Sequence, residues 1–198
     1  MLNLVLNLIV FVIVPAIAFY LYSRKAKADK KIRDAYRIQS LIEDWKYYYL
    51  LEECEEQLDK INAHMKGNGC TGVAFTILSH YFDVKIDESI FFTEEAKAGV
   101  SRSKVLSLLR ANFELITLNS QLKAKSGKTV ESLLAKAEEE EQMIVCIQPD
   151  HIAILVHATK NKYVDLILRR EYDFDKDLHK LIAVTNGIEQ EEDGKVTN

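Results

Sequence analysis

The residues 67–74 read GNGCTGVA, and the oily run FTILSHYF follows at once. Three of the seven glycines of the chain therefore stand around Cys70. Glycine breaks a preceding helix, so the spacing predicts a turn and then a new helix opening at or near Cys70 and running to about Phe82. A helix amino end favours negative charge through its dipole and its free N–H groups. A thiol there is poised to become the thiolate that attacks a carbonyl. An imidazole to take the thiol proton, and a carboxylate to orient that imidazole, would complete a nucleophilic site. Among the five histidines, His151 opens a β-rich run just after a Pro-Asp turn, and Asp165 lies on the next run. Adjacent antiparallel strands can set two such side chains side by side. His157, offset by an even number of residues on the same run, is the alternative base.

The other candidate residues read as structure. Cys146 lies inside an apolar strand and Cys54 on a long helix, so both are expected to pack in the core. The three cysteines cannot all pair with one another, and none has the Cys-x-x-Cys spacing of a zinc site. The acidic run 138–141 is expected as a solvated helix end. No metal and no cofactor is expected.

Positioning these groups requires a scaffold, and the hydrophobic period supplies it. Residues 1–22 carry no charge, and about 20 apolar residues as a helix span a bilayer core. The next stretch, RKAKADKKIR, carries +5, so that with a net charge of −4 overall the rest of the chain carries about −9. No positive charge precedes the apolar run, which favours a retained anchor over a cleavable leader, although AIA at 16–18 has cleavage-site spacing. The positive-inside bias then leaves the carboxy-terminal body in the cytoplasm, on a single-pass membrane protein. An acidic body gives no footprint for nucleic acid. The expected organisation is an anchor over 1–23, a helical stalk over 24–63, a catalytic-type domain over 64–186 and a loose polar tail over 187–198.

Within the body, GVSRSKVLSLLRAN predicts a helix capped by Ser101 or Ser103. FELITLN predicts a short strand and GKTVESLLAKAEEEEQ another helix. MIVCIQ, HIAILVHA and YVDLILR predict three strands, with TKNK as a hairpin turn. Helices first and an antiparallel sheet second is an α+β layout.

The order of these parts resembles papain-like cysteine peptidases. More narrowly, residues 67–170 resemble the bacteriocin-processing, double-glycine peptidases and their looser relatives. The phrases that carry the resemblance are CTGVAFTILSHYFDVKID, GVSRSKVLSLLRANFELITL, TVESLLAKAEEEEQ leading into MIVCI, and DHIAILVHATKNKYVDL. The resemblance implies Cys70 as nucleophile, His151 as base and then acid, and Asp165 as its orienting group. It implies hydrolysis of a peptide or amide bond in a peptide or protein substrate, such as leader removal beside a membrane complex or exporter. The family places a glutamine about six residues before the cysteine to donate to the oxyanion; here His64 stands at that position. Thr71 stands where the family has glycine, and Leu166 where it often has proline. The alternative expectation is a catalytically inactive peptidase-like domain that serves as a protein-binding or structural membrane subunit.

Overall fold

The computed structural model describes residues 12–65, 69–118, 130–159, 162–172 and 180–188. The chain divides into two compact units, residues 1–40 and 41–198. Helix α1, Val14–Glu43, makes up the described part of the first unit and runs into the second. In the first unit Val14, Ile17, Phe19, Tyr20, Leu21 and Tyr22 are exposed. Among the described residues no helix is long and apolar enough to cross a membrane. Residues 1–11 of the expected anchor lie outside the described residues.

The expected single helix over 24–63 is broken. After α1 the chain turns through Asp44–Tyr48 and re-enters helix as α2, Tyr49–Glu53, and α3, Glu55–Met65. The aromatic residues there make the turn worth forming. Tyr47 stacks edge-on to Tyr81 with ring centroids 4.7 Å apart, and Trp45 meets Tyr47 at 5.8 Å. Lys46 reaches Glu141 at 2.7 Å. A straight helix could not direct these rings inward and keep Ile61 and Met65 buried as well.

Helix α4, Cys70–Phe82, is buried at every position from Thr71 to Leu78. It ends where Asp83 takes a left-handed conformation and its N–H bonds the Ser79 carbonyl. A 3₁₀ turn, Glu88–Phe91, and a short helix α5, Glu94–Lys97, lead to α6, Arg102–Asn112. Ser101 caps α6, its hydroxyl accepting from the Lys104 N–H. Strand β1, Phe113–Thr117, follows, and then helix α7, Val130–Glu139.

The remaining strands are β2 (Met143–Ile147), β3 (Ile152–Thr159), β4 (Lys162–Asp165), β5 (Arg170–Glu171) and β6 (Lys180–Gly187). They form one antiparallel sheet in the order β1-β6-β2-β3-β4-β5. The architecture is thus α+β, as the sequence pattern predicts. The tip of the β3–β4 hairpin lies outside the described residues.

Strand β2 is buried at all five positions, as a strand covered on both faces must be. Ile144 and Cys146 join Leu134 and Ala137 of α7 in one apolar cluster with Ala153, Leu155, Tyr163 and Leu181. The sheet's other face is covered by α4, which packs on β3 and β6. Phe75 of α4 extends that layer to Phe91 and Phe113, at ring distances of 5.5 and 6.2 Å.

Two strands depart from the sequence reading. YVDLILR is not a strand throughout: it stops at Asp165, and residues 166–169 form a turn. The physical cause is Asp165 itself, whose Oδ1 accepts from the N–H groups of Ile167 and Leu168 at 3.0 and 3.2 Å. A side chain that binds the backbone two and three residues on folds the chain into a turn. Strand β6 was not anticipated, yet it lies in the interior of the sheet between β1 and β2. Gly187, placed at the start of the expected tail, is the last residue of that strand, while residues 189–198 lie outside the described residues.

Candidate active site

The start of α4 faces the end of the β2–β3 turn across a cleft of about 340 Å³. Cys70, Gln148 and His151 line it, with Val100, Arg102 and Val105 from the loop and helix opposite. Cys70 is half-buried, whereas Cys54 and Cys146 are fully buried. Cys54 donates to the Leu50 carbonyl at 2.8 Å, and burial pushes its thiol up to about 11. Cys146 accepts from the Tyr172 hydroxyl. Those two thiols belong to the core.

Close packing sets where Cys70 sits. A side chain at Gly72 would place its Cβ 2.9 Å from Ile61 Cγ2, so glycine there lets α3 lie against the first turn of α4. A side chain at Gly69 would meet Asn62, Ile61 and Met65 at 3.3–3.4 Å. Gly69 and Gly72 thus allow α3 to brace the first turn of α4.

His151 stands just before β3. Its Nε2 lies 2.8 Å from Asp165 Oδ2, and its side chain is only 9% exposed. With Nε2 engaged by Asp165, Nδ1 is the nitrogen left to meet the Cys70 thiol, with which the ring interacts. Asp165 is wholly buried, and its two oxygens serve different ends. One oxygen holds the turn 166–169 and the other holds His151.

The electrostatics follow from these contacts. Burial works to raise the Cys70 thiol, but the His151 imidazole, the Ile152 N–H and the Thr71 side chain outweigh it and hold the thiol below its ordinary range. Burial works to lower His151, but the bonds to Asp165 and Cys70 lift it to about 9. A depressed thiol beside a raised imidazole favours the thiolate–imidazolium pair over the neutral pair. That pair can attack an electrophilic carbonyl and deliver a proton to the group that leaves.

The structure brings Cys70, His151 and Asp165 into one contact chain. His64 and His157 lie elsewhere. His64 packs its ring on Phe92 at 5.3 Å and is not among the residues lining the cleft. Its position on α3, one residue before the buried Met65, turns it toward the 3₁₀ segment. His157 packs on Tyr163 at 5.2 Å and reaches Glu138 at 3.7 Å, with 43% of its side chain exposed. The even offset from His151 does not carry over to a shared site, because six residues of extended chain, at about 3.3 Å each, set the two side chains ~20 Å apart. Among the described residues no group of His, Cys, Asp or Glu has the arrangement of a metal site.

Two residues at the site were missed. Gln148 is a buried polar residue on the cleft wall, and its N–H bonds the His151 carbonyl at 2.8 Å across the turn. A polar residue closing the apolar run MIVCI was the signal available. Arg170 places its Nε 3.9 Å from Asp165 Oδ2. Nothing in LILRRE announced a second, short hairpin, so no sequence signal pointed to it.

No family of known proteins, no curated protein and no solved structure matches the chain.

Proposed function

We propose that this protein is a thiol hydrolase of papain-like construction that cleaves a peptide or amide bond. The observation that carries the reading is the contact chain from Cys70 through His151 to a buried Asp165. The thiolate of Cys70 attacks the scissile carbonyl carbon, and the carbonyl π electrons move onto oxygen. The Cys70 N–H is one of the first-turn donors that a helix leaves without an internal acceptor, so it can bind that oxyanion. His151 gives its Nδ1 proton to the departing amine as the C–N bond breaks, leaving a thioester. Water then gives a proton to His151 and its oxygen to the thioester, and Cys70 departs as thiolate. Asp165 keeps the imidazole oriented through both halves.

Placement at a membrane is part of the proposal. It rests on the uncharged run 1–22, on the +5 stretch after it and on the contiguous exposed apolar residues of α1. Such a surface is rarely left to water. The resemblance to double-glycine peptidases favours leader removal from a small peptide in the cytoplasm, next to an exporter.

A second reading, a catalytically inactive domain that holds a protein partner, draws on one observation. His64, at the position where the related peptidases carry their oxyanion glutamine, packs on Phe92 instead of lining the cleft. One lost donor of this kind costs about 10²–10³ in rate.

The test is alkylation of the full chain with iodoacetamide, followed by assay on peptides with a double-glycine leader. One fast cysteine below neutral pH, abolished in Cys70→Ala, together with cleavage that disappears in Cys70→Ala, is expected. Equal slow labelling of all three cysteines would overturn the hydrolase reading. Fast labelling without cleavage, and a stoichiometric partner retained by Cys70→Ser, would favour the second.

A further inference from the structure

Strands β4 and β5 pair so that Asp165 stands opposite Arg170. The turn that Asp165 itself closes makes this juxtaposition, because it returns the chain beside its own start within four residues. Arg170 Nε lies 3.9 Å from Oδ2, the same oxygen that lies 2.8 Å from His151 Nε2. The longer distance exceeds a hydrogen bond, so Arg170 acts on that oxygen through its charge while His151 keeps the direct bond. The carboxylate is fully buried and the guanidinium side chain is 41% exposed. Charges so close to a buried group are screened weakly by solvent and salt.

We propose that Arg170 is a positioning residue of the thiol site: it shares Asp165 Oδ2 with His151 and thereby limits how tightly the carboxylate holds the imidazolium. The inference rests on the hydrolase reading above and assigns a control to the same site. Without a second cation, a buried carboxylate would bind its imidazolium so firmly that the ring would part with its proton slowly. The leaving amine needs that proton. Arg170 divides the carboxylate's charge between two cations and leaves the imidazolium the better acid.

The other charged groups around the pair do not duplicate this. Cys70 faces His151 from α4, and Arg102 faces the cleft from the start of α6. Asp150 precedes His151 but is exposed in the turn, and Arg169 is exposed and lines a different cavity. His151 and Arg170 each lie within ion-pair distance of Asp165.

The test is the pH dependence of Cys70 alkylation by iodoacetamide in the full chain, for wild type, Arg170→Gln, Arg170→Met and Arg170→Lys. The profile rises once as the thiolate–imidazolium pair forms and again as the imidazolium loses its proton. Removing a positive charge makes both groups easier to protonate. Both steps should therefore move up, the second by about one pH unit, as for a charge lost within several ångströms. At a fixed pH on the first rise, labelling slows by up to roughly tenfold if that step moves equally far. Arg170→Lys should return both steps toward wild type. Because Arg170→Met keeps an unbranched apolar stem, it reports the loss of charge even where Arg170→Gln disturbs folding. Steps that stay in place in the folded Gln or Met variant, steps that move down, or a lysine variant that restores nothing would each overturn the inference. A wild-type chain with no fast thiol at all would remove the hydrolase reading too, which distinguishes that failure from this one.

Discussion

At the scale of single residues, the site turns on the fact that one buried carboxylate does two jobs. Asp165 Oδ2 orients His151 while Oδ1 holds the turn. Asp165→Asn retains one acceptor oxygen but presents a neutral amide to the ring. It should lower cleavage by about 10²–10⁴, the usual range for disabling acid–base catalysis, with a smaller change in KM. The same variant should draw the second step of the alkylation profile down from about 9, because the carboxylate is what lifts His151. For the unaltered chain the sign is set at both ends. On the proposed mechanism, protonation of Cys70 at low pH lowers cleavage, and above about 9 His151 has lost the proton that the leaving amine requires. A bell-shaped profile of kcat/KM with its alkaline limb near pH 9 checks this. Cys70 and His151 were legible in the sequence because each follows a turn, one glycine-rich and one Pro-Asp, and Asp165 because it lies on the next β-rich run, where antiparallel pairing can set it beside His151. Arg170 was not legible, since its place depends on a turn nucleated by a side chain within what reads as a continuous strand.

Among elements, the contact of α3 with α4 sets how closely the helix that opens with Cys70 is packed. Gly72→Ala would set a methyl carbon 2.9 Å from Ile61 Cγ2 and force the two helices apart. Overpacking of this kind costs about 1–3 kcal/mol. The denaturation midpoint should fall accordingly, and the fast labelling of Cys70 should slow. Gly72→Ala combined with Ile61→Leu, which removes the β-branch methyl at the clash while keeping the volume, should recover part of both losses. Helix–helix fit of this type leaves little trace in a pattern of apolar positions, and CTG reads equally well as a motif and as a packing site. The apolar run LIAV at 181–184 was likewise silent. It is fully buried and does not alternate, so nothing in its spacing marked it as a strand. The break of the expected long helix after Glu43 was hidden for another reason: Leu41, Trp45 and Tyr48 keep helical spacing, and the contacts of Tyr47 with Tyr81 and Glu141, distant in sequence, turn the chain.

On the scale of the whole molecule, the compact unit over 41–198 contains the thiol site together with both core layers. A chain beginning at Leu41 should therefore unfold in one cooperative transition and keep the fast Cys70 labelling of the full protein. Calorimetry and alkylation of the shortened chain check this, and a loss of labelling would mean that the first unit helps to shape the site. The order of the sheet adds a consequence for biogenesis. Of the described strands β6 is the last to be synthesised, yet its berth lies between β1 and β2. Until residues 180–187 leave the ribosome, both of those strands present bare hydrogen-bonding edges, the kind of surface that recruits foreign strands. The nascent protein thus carries Cys70 early and its keystone late, so a chain cut short before residue 180 would be sticky rather than merely shorter.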